Sequence, residues 1–104
     1  MISHEFDLNS LAIRDFCRRW KIRELSVFGS ILRDDFGPHS DIDFLADFGA
    51  DSDWDLFDQM EMEDELAEIV GRRIDLLTTF GLESSSNRFL KREILSNLER
   101  VYAA

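Results

Sequence analysis

Two aspartates, Asp41 and Asp43, lie in a segment that otherwise has the pattern of a β-strand with an apolar face. Side chains alternate between the two faces of a sheet, so both carboxylates point to one face and Ile42 to the other. Aspartate is among the residues most depleted in strands, and a pair of aspartates in one strand therefore needs a reason. Carboxylates hold Mg²⁺ together with water and substrate phosphates. The pair predicts a divalent-cation site on this strand.

A glycine-serine turn, Gly29-Ser30, precedes this pair by ten residues and follows an apolar strand pattern that ends at Val27-Phe28. Glycine lets the backbone approach a phosphate closely, because it has no side chain. A helix that begins at this turn would add free N–H groups and the positive end of its dipole, and both favour an anion. The turn and the two aspartates together predict a site for phosphates and their cation.

The segment from Gly29 to Leu45, with its Gly29-Ser30 turn and its Asp41-Ile42-Asp43 strand, resembles the signature of the nucleotidyltransferases of the DNA polymerase β superfamily. Within that superfamily, the chain is similar over nearly its whole length to the minimal nucleotidyltransferase (MNT) domains. This family is often encoded beside a HEPN-domain protein, as the antitoxin of a toxin–antitoxin pair. The resemblance implies the polymerase β-like nucleotidyltransferase fold of the α/β (α+β) class, a small mixed β-sheet flanked by helices.

The same resemblance implies a reaction, the Mg²⁺-dependent transfer of AMP from ATP to a hydroxyl of a partner HEPN toxin, with a tyrosine as the acceptor. It implies that Gly29 and Ser30 contact the triphosphate and that Asp41 and Asp43 bind the metal, with two ions expected. Two cations would stabilise the attacking and leaving oxygens of an in-line displacement. A non-catalytic antitoxin that neutralises its toxin by binding is the alternative. A third hypothesis is a nucleotidyltransferase that acts on a small molecule or on RNA ends.

A third acid, Asp75, stands inside the apolar strand pattern of residues 72–78. A lone buried carboxylate is costly, so Asp75 is expected either in a salt bridge to an arginine or at the metal site. The candidates for that salt bridge are Arg72, Arg73 and Arg33. The resemblance favours the metal site, because related enzymes take a third carboxylate from a later strand. We therefore count Asp75 as a catalytic and metal-binding residue beside Asp41 and Asp43.

Four further polar residues lie close to these motifs. Arg33, one turn after Ser30, either pairs with neighbouring acids or supports the phosphates, and we assign it to the nucleotide site. Ser40 is expected to brace the turn before the Asp-x-Asp strand, and His39 to be an exposed loop residue. Asp47 continues the face of Asp41 and Asp43, but its position at the strand end favours a solvated carboxylate.

The spacing of apolar residues predicts the element order αβαβαβα in one domain, residues 1–104. The expected helices span about residues 7–19, 30–35, 54–70 and 88–102, and the expected strands about residues 22–28, 41–48 and 72–78. Residues 79–87 are expected to form a loop, and Gly71 to end the third helix. The last helix carries a wide apolar stripe, which could leave an edge for a partner helix.

The charge of the chain is strongly acidic, with a formal net charge of −10. No Lys or Arg occurs between Asp34 and Gly71, a segment that contains 14 of the 22 acidic residues. This block is either a solvated face or a surface that docks a basic partner. Either interpretation disfavours direct nucleic-acid binding, which depends on neutralising phosphates with Lys and Arg.

The cysteine count and the length of the apolar runs exclude or disfavour several other classes of protein. The chain has one cysteine, Cys17, which excludes an internal disulfide, and with two histidines a zinc site is not expected. Cys17 lies in a helical pattern and is expected to be a small buried residue. No apolar run reaches membrane-spanning length and no signal-peptide pattern opens the chain, so the sequence predicts a cytoplasmic protein without a membrane partner.

Overall fold

Four strands form one mixed sheet in the order β3-β2-β1-β4, with helices on both faces. The structure is a computed structural model that describes residues 11–32, 37, 40–49, 54–83 and 86–104. Its elements are α1 (Leu11–Arg19), β1 (Glu24–Phe28), a 3₁₀ helix (Gly29–Leu32), β2 (Ile42–Asp47), α2 (Leu56–Val70), β3 (Ile74–Thr78), α3 (Thr79–Glu83), α4 (Arg88–Ser96) and β4 (Glu99–Ala103). The predicted mixed sheet flanked by helices is confirmed.

The strand register brings the three sequence motifs to one end of the sheet. β1 and β2 are antiparallel, and Phe28, the last residue of β1, pairs with Asp43 near the start of β2. β2 and β3 are parallel, and Asp43 pairs with Asp75. Because paired residues on neighbouring strands point to the same face, Asp43 and Asp75 lie side by side. The turn at Gly29 follows directly after Phe28 and lies at the same end.

The two faces of the sheet have different cores. The larger core lies under α1 and α2, and its fully buried members include Phe16, Leu25, Phe44 and Leu66. A smaller cluster on the other face consists of Leu45, Leu82 and Ile94, under α3 and α4. Asp43 shares this second face, because it lies two positions before Leu45 on the same strand. The thinner cover on this face leaves room for a cleft.

The C-terminal segment differs from its prediction as one helix over residues 88–102. Helix α4 ends at Ser96, and residues 99–103 form a fourth strand that pairs antiparallel with β1. Pairing with β1 satisfies backbone groups that would otherwise be left unpaired along an edge of the sheet. Val101 on β4 is buried in the larger core. The apolar spacing of the segment suited a helix, and only the free edge of β1 favours the strand.

Shorter segments also correct the prediction. Residues 79–83, expected in a loop, form α3, and the helix expected over residues 30–35 is a 3₁₀ helix as far as Leu32. Helix α2 begins after Asp55, whose side chain and that of Asp58 form a capping box. The helix ends at Gly71, as expected, with a left-handed backbone (φ 70°). No helix in the described ranges is long and apolar enough to cross a membrane.

The expected apolar faces of two helices are shifted. The apolar spacing of the sequence predicts that Leu11 is buried on α1 and that Leu56, Phe57 and Met60 are buried on α2, but all four side chains are largely exposed. The residues that face the core are Ile13, Phe16 and Cys17 on α1, and Met62 and Leu66 on α2. The first turns of α2 therefore carry an exposed apolar surface within the acidic block.

Cys17 is fully buried, as predicted, and burial raises the pKa of its thiol from 9.0 to about 12. The unfolded thiol ionises near pH 9.0 and the folded thiol only near 12, so stability should fall as pH rises through this window. We expect the difference in unfolding free energy between the wild type and Cys17→Ala to narrow over that range. Denaturant unfolding of both proteins, below pH 9 and between pH 9 and 12, measures this difference. A constant difference would contradict the raised pKa.

Candidate active site

Gly29 has a conformation and a position that only glycine tolerates. Its backbone is left-handed, with φ 79°, which strains residues that have a side chain. A Cβ atom built at Gly29 would lie 2.4 Å from Oδ2 of Asp43. The carboxylate of Asp43 therefore occupies the space above the turn, against the backbone of Gly29. This contact joins the two sequence motifs, which are separated by ten residues.

Asp43 and Asp75 form the centre of the site. They are direct partners in the parallel pairing of β2 and β3, so their side chains lie on the same face. Asp43 is half-buried, whereas Asp75 is exposed. The expectation that Asp75 is a buried acid is wrong, because its apolar neighbours Ile74 and Leu76 turn to the larger core and leave Asp75 on the thinly covered face. Its carboxylate is accessible at the edge strand of the sheet.

Asp41 lies just before β2, in a loop that two arginines hold in place. Nε of Arg73 is 3.8 Å from Oδ1 of Asp41, a partly exposed ion pair. Arg72 donates through Nε to the carbonyl of Ser40 at 2.9 Å and through Nη2 to the carbonyl of Gly37. The side chain of Ser40 accepts a hydrogen bond from the Gly37 N–H at 3.0 Å, so Ser40 braces the turn as predicted. Both arginines were candidate partners of Asp75, and these hydrogen bonds and this ion pair join them to the loop of Asp41.

The donor set suits a cation that also binds phosphate. Asp43 and Asp75 offer carboxylate oxygens from adjacent strands, and the missing Cβ of Gly29 leaves room for the Asp43 carboxylate against the turn. Mg²⁺ is commonly held by one or two carboxylates, with phosphates and water completing its shell. Within the described residues, no three acidic, His or Cys side chains group tightly enough to enclose an ion. The residues present therefore fit Mg²⁺ that arrives with a nucleotide better than an all-protein metal site.

A cleft of about 690 Å³ opens beside Asp43. One wall consists of Phe28, Gly29, Leu32 and Asp43, and the other is made by α4 and the segment that follows it, from Leu90 to Glu99. This volume lies in the range of small-molecule sites. The cleft is thus large enough for a nucleotide whose phosphates lie at Gly29 and Asp43.

Several acidic residues near the site were missed by sequence reasoning. Glu93 and Glu99 line the α4 wall of the cleft, which a helix continuing to residue 102 would not have formed. Glu63 of α2 lies at the outer edge of β3, near Asp75. Burial raises the pKa of Glu63, a hydrogen bond with the Leu76 backbone lowers it, and the charge of Asp75 raises it. No local sequence signal marks these positions, because each depends on how a helix packs on the sheet.

The edge of β3 is covered by side chains of α2. Gln59 donates to the carbonyl of Leu76 at 3.1 Å, and Glu63, one turn later, contacts the Leu76 backbone. An edge strand with free backbone groups invites pairing with another chain. These contacts occupy the outer edge of β3 at Leu76, next to Asp75.

The remaining predicted residues are divided between the far end of the sheet and undescribed positions. Asp47 lies at the other end of β2, where its side chain accepts hydrogen bonds from the Gly49 N–H at 2.9 Å and the Thr79 hydroxyl at 3.3 Å. It is a turn residue and not part of the site. Arg33 and His39 lie outside the described residues, and of Ser30 the structure describes the backbone.

Comparison with known proteins agrees with this geometry. The family described as nucleotidyltransferase domain matches residues 10–101. The chain is 32% identical over 82 residues to the protein adenylyltransferase MntA of Thermococcus cleftensis, and the match covers 79% of this chain and 81% of that protein. The span of the family match, residues 10–101, includes both the Gly29-Ser30 turn and the Asp41-Ile42-Asp43 segment.

Two solved toxin–antitoxin complexes contain chains with this fold. A complex with AMP-PNP matches 89% of this chain and 72% of its own chain, with a TM-score of 0.69 and 22% identity. A complex of a tri-AMPylated Shewanella oneidensis HEPN toxin with an MNT antitoxin matches 93% of this chain and 71% of its own chain. Its TM-score is 0.64 and its identity 21%. At these identities the likeness shows a shared fold. The match over residues 10–101 decides the family: the chain belongs to the nucleotidyltransferase domain family and is a nucleotidyltransferase.

Proposed function

We propose that this chain transfers AMP from ATP to a tyrosine hydroxyl of a partner HEPN toxin and acts as its antitoxin. The pairing of Asp43 with Asp75 next to the Gly29 turn is the observation that carries the proposal. The similar MntA is named a protein adenylyltransferase, and a complex of the same fold contains an AMPylated HEPN toxin. A donor such as ATP suits a reaction in the cytoplasm.

The phosphates are assigned to the Gly29 turn. Gly29 has no side chain of its own, so a phosphate can approach the backbone of this left-handed turn closely, beside the carboxylate of Asp43. Ser30, the next residue of the turn, is proposed to contact the phosphates as well. Arg33, three residues further along the chain, is proposed to support them. Within the cleft, the α-phosphate would lie between this turn and the carboxylates of β2 and β3.

Asp41, Asp43 and Asp75 are proposed to hold one or two Mg²⁺ ions. When bound, Mg²⁺ polarises the α-phosphate and neutralises the charge of the departing pyrophosphate. The acceptor hydroxyl oxygen forms a bond to the α-phosphorus as the bond to pyrophosphate breaks. Asp75 is proposed to take the proton of that hydroxyl. Its exposure at the edge strand supports this role, because a hydroxyl on another protein can reach it.

The non-catalytic alternative is favoured by a different feature, the surface of α2. Helix α2 contains acidic residues and no Lys or Arg, and its first turns expose Leu56, Phe57 and Met60. An exposed apolar patch with an acidic surround is typical of a protein interface. Such a surface could mask a toxin without any transfer of AMP. Binding and chemistry must therefore be measured separately.

The test is intact-mass spectrometry of the protein that co-purifies with this chain, before and after addition of ATP and Mg²⁺. We expect the partner to gain the mass of one or more AMP groups with the wild-type chain. The Asp41→Asn, Asp43→Asn double variant should form the same complex without a mass gain. Peptide mapping then identifies the modified side chain, and GTP, CTP and UTP in place of ATP test the donor.

The non-catalytic alternative predicts a different result in the same mass measurement. A tight complex whose partner keeps its mass with both chains would reject the enzymatic proposal and favour an antitoxin that acts by binding. AMP found on a serine or threonine would retain the transfer and correct the acceptor.

A further inference from the structure

The two walls of the cleft differ in chemistry. One wall carries the glycine turn and Asp43, which suit phosphates and their cation. The other, formed by α4 and the turn into β4, presents the apolar side chains of Leu90, Ile94 and Leu98. We propose that this α4 wall binds the nucleoside, the base and ribose, of the donor nucleotide. The inference rests on the proposed function and adds a subsite to it.

Leu90 is the main apolar contact available to a base. Its side chain lines the cleft and is 44% exposed, whereas its neighbour in the wall, Ile94, is 6% exposed and belongs to the small core. Phe28 on the opposite wall is packed against the same core. A nucleobase has two apolar faces, and covering an exposed leucine with one of them removes apolar area from water. The wall therefore offers a base an exposed apolar contact at Leu90, beside the buried Ile94.

The charges of the α4 wall exclude phosphates from it. Glu93 and Glu99 line this wall, and none of the described residues that line the cleft is Lys or Arg. Like charges at short range repel strongly in a partly enclosed site. The uncharged part of a nucleotide is the part that can lie against these carboxylates, and ribose hydroxyls can donate hydrogen bonds to them. The nucleotide is thereby oriented, with its triphosphate at Gly29 and its nucleoside at α4.

The test compares two ligands that share a triphosphate, AMP-PNP and inorganic tripolyphosphate, each with Mg²⁺. Equilibrium binding to the full chain is measured for the wild type and for Leu90→Ser. We expect Leu90→Ser to weaken AMP-PNP binding about 10-fold and to leave tripolyphosphate binding unchanged. Leu95→Ser is the matched control, because Leu95 is on the same helix and 57% exposed but does not line the cleft.

Each contrary outcome has a definite meaning. Equal AMP-PNP affinity in the wild type and Leu90→Ser overturns the α4 subsite, and so does an equal loss of affinity for both ligands. Wild-type binding of tripolyphosphate as tight as that of AMP-PNP also overturns it, because the nucleoside then contributes nothing. A wild-type chain that binds neither ligand, alone or in complex with the partner that co-purifies with it, rejects the proposed function itself, together with this inference. Circular dichroism confirms that each variant is folded.

Discussion

Asp43→Asn is expected to lower the rate of AMP transfer at least about 100-fold without unfolding the protein. Substitution of residues that only support a metal ligand costs 10- to 100-fold, and Asp43 is proposed as a ligand itself. Asparagine has the same shape and fits beside Gly29, but it lacks the charge that a cation and its phosphates require. The rate of mass gain by the partner, followed over time, measures the effect.

Asp47→Asn is the matched control for this variant. Asp47 is on the same strand and the same face, but its side chain bonds to Gly49 and Thr79 at the other end of β2. Its transfer rate should stay close to that of the wild type. A rate for Asp43→Asn within about 10-fold of the wild type would remove Asp43 from the proposed metal site.

Gly29→Ala is expected to abolish most nucleotide binding and transfer and to destabilise the fold. The left-handed backbone alone costs about 1–2 kcal/mol with a Cβ atom present. In addition, that atom would lie 2.4 Å from Oδ2 of Asp43, so the carboxylate must move. Displacement of Asp43 and narrowing of the phosphate space act on the same site. Melting curves measure the stability, and AMP-PNP binding and the partner's mass gain measure the function.

Gly71→Ala separates the two effects of the Gly29 substitution. Gly71 is also left-handed, with φ 70°, but an added Cβ there meets no atom within 4 Å. Both variants should therefore lose similar stability from backbone strain, while Gly71→Ala keeps its transfer rate. If Gly71→Ala lost as much activity as Gly29→Ala, general destabilisation and not the contact with Asp43 would explain the result.

The exposed position of Asp75 has a consequence for the acceptor. A carboxylate enclosed in a deep site would favour a small acceptor, whereas Asp75 lies on an edge strand and is open to solvent. An acceptor hydroxyl on a folded partner can therefore approach without opening the protein. The partner would then complete the walls of the site, as expected for a domain too small to enclose its substrates.

The resemblance of residues 29–45 to a known signature was sufficient to predict the nucleotidyltransferase family and its mixed sheet. Asp41 and Asp43 share a face because side chains alternate in a strand, and this holds in any fold that contains the strand. Gly29 was recognised because a turn against a phosphate tolerates no side chain. Both inferences depend on residues close together in the chain. The family match over residues 10–101 confirms the predicted nucleotidyltransferase family.

The C-terminal segment shows where local spacing failed. Its apolar residues suited a helix to Tyr102, but residues 99–103 pair with β1. Strand formation there depends on an open sheet edge contributed by residues some 75 positions earlier, at Glu24 to Val27. The α4 wall of the cleft, with Leu90, Glu93 and Glu99, exists because the helix stops at Ser96.

The sequence by itself determined which residues are proposed to serve the chemistry: a glycine turn, an Asp-x-Asp strand and a later aspartate. Only the tertiary structure decided how they meet. The parallel register of β2 and β3 sets Asp75 beside Asp43, and the antiparallel register of β1 and β2 sets Gly29 against Asp43. It also decided that Asp75 is exposed, since burial depends on which helices cover each face of the sheet. Strand register and helix packing are sums over distant contacts, and local spacing does not specify them.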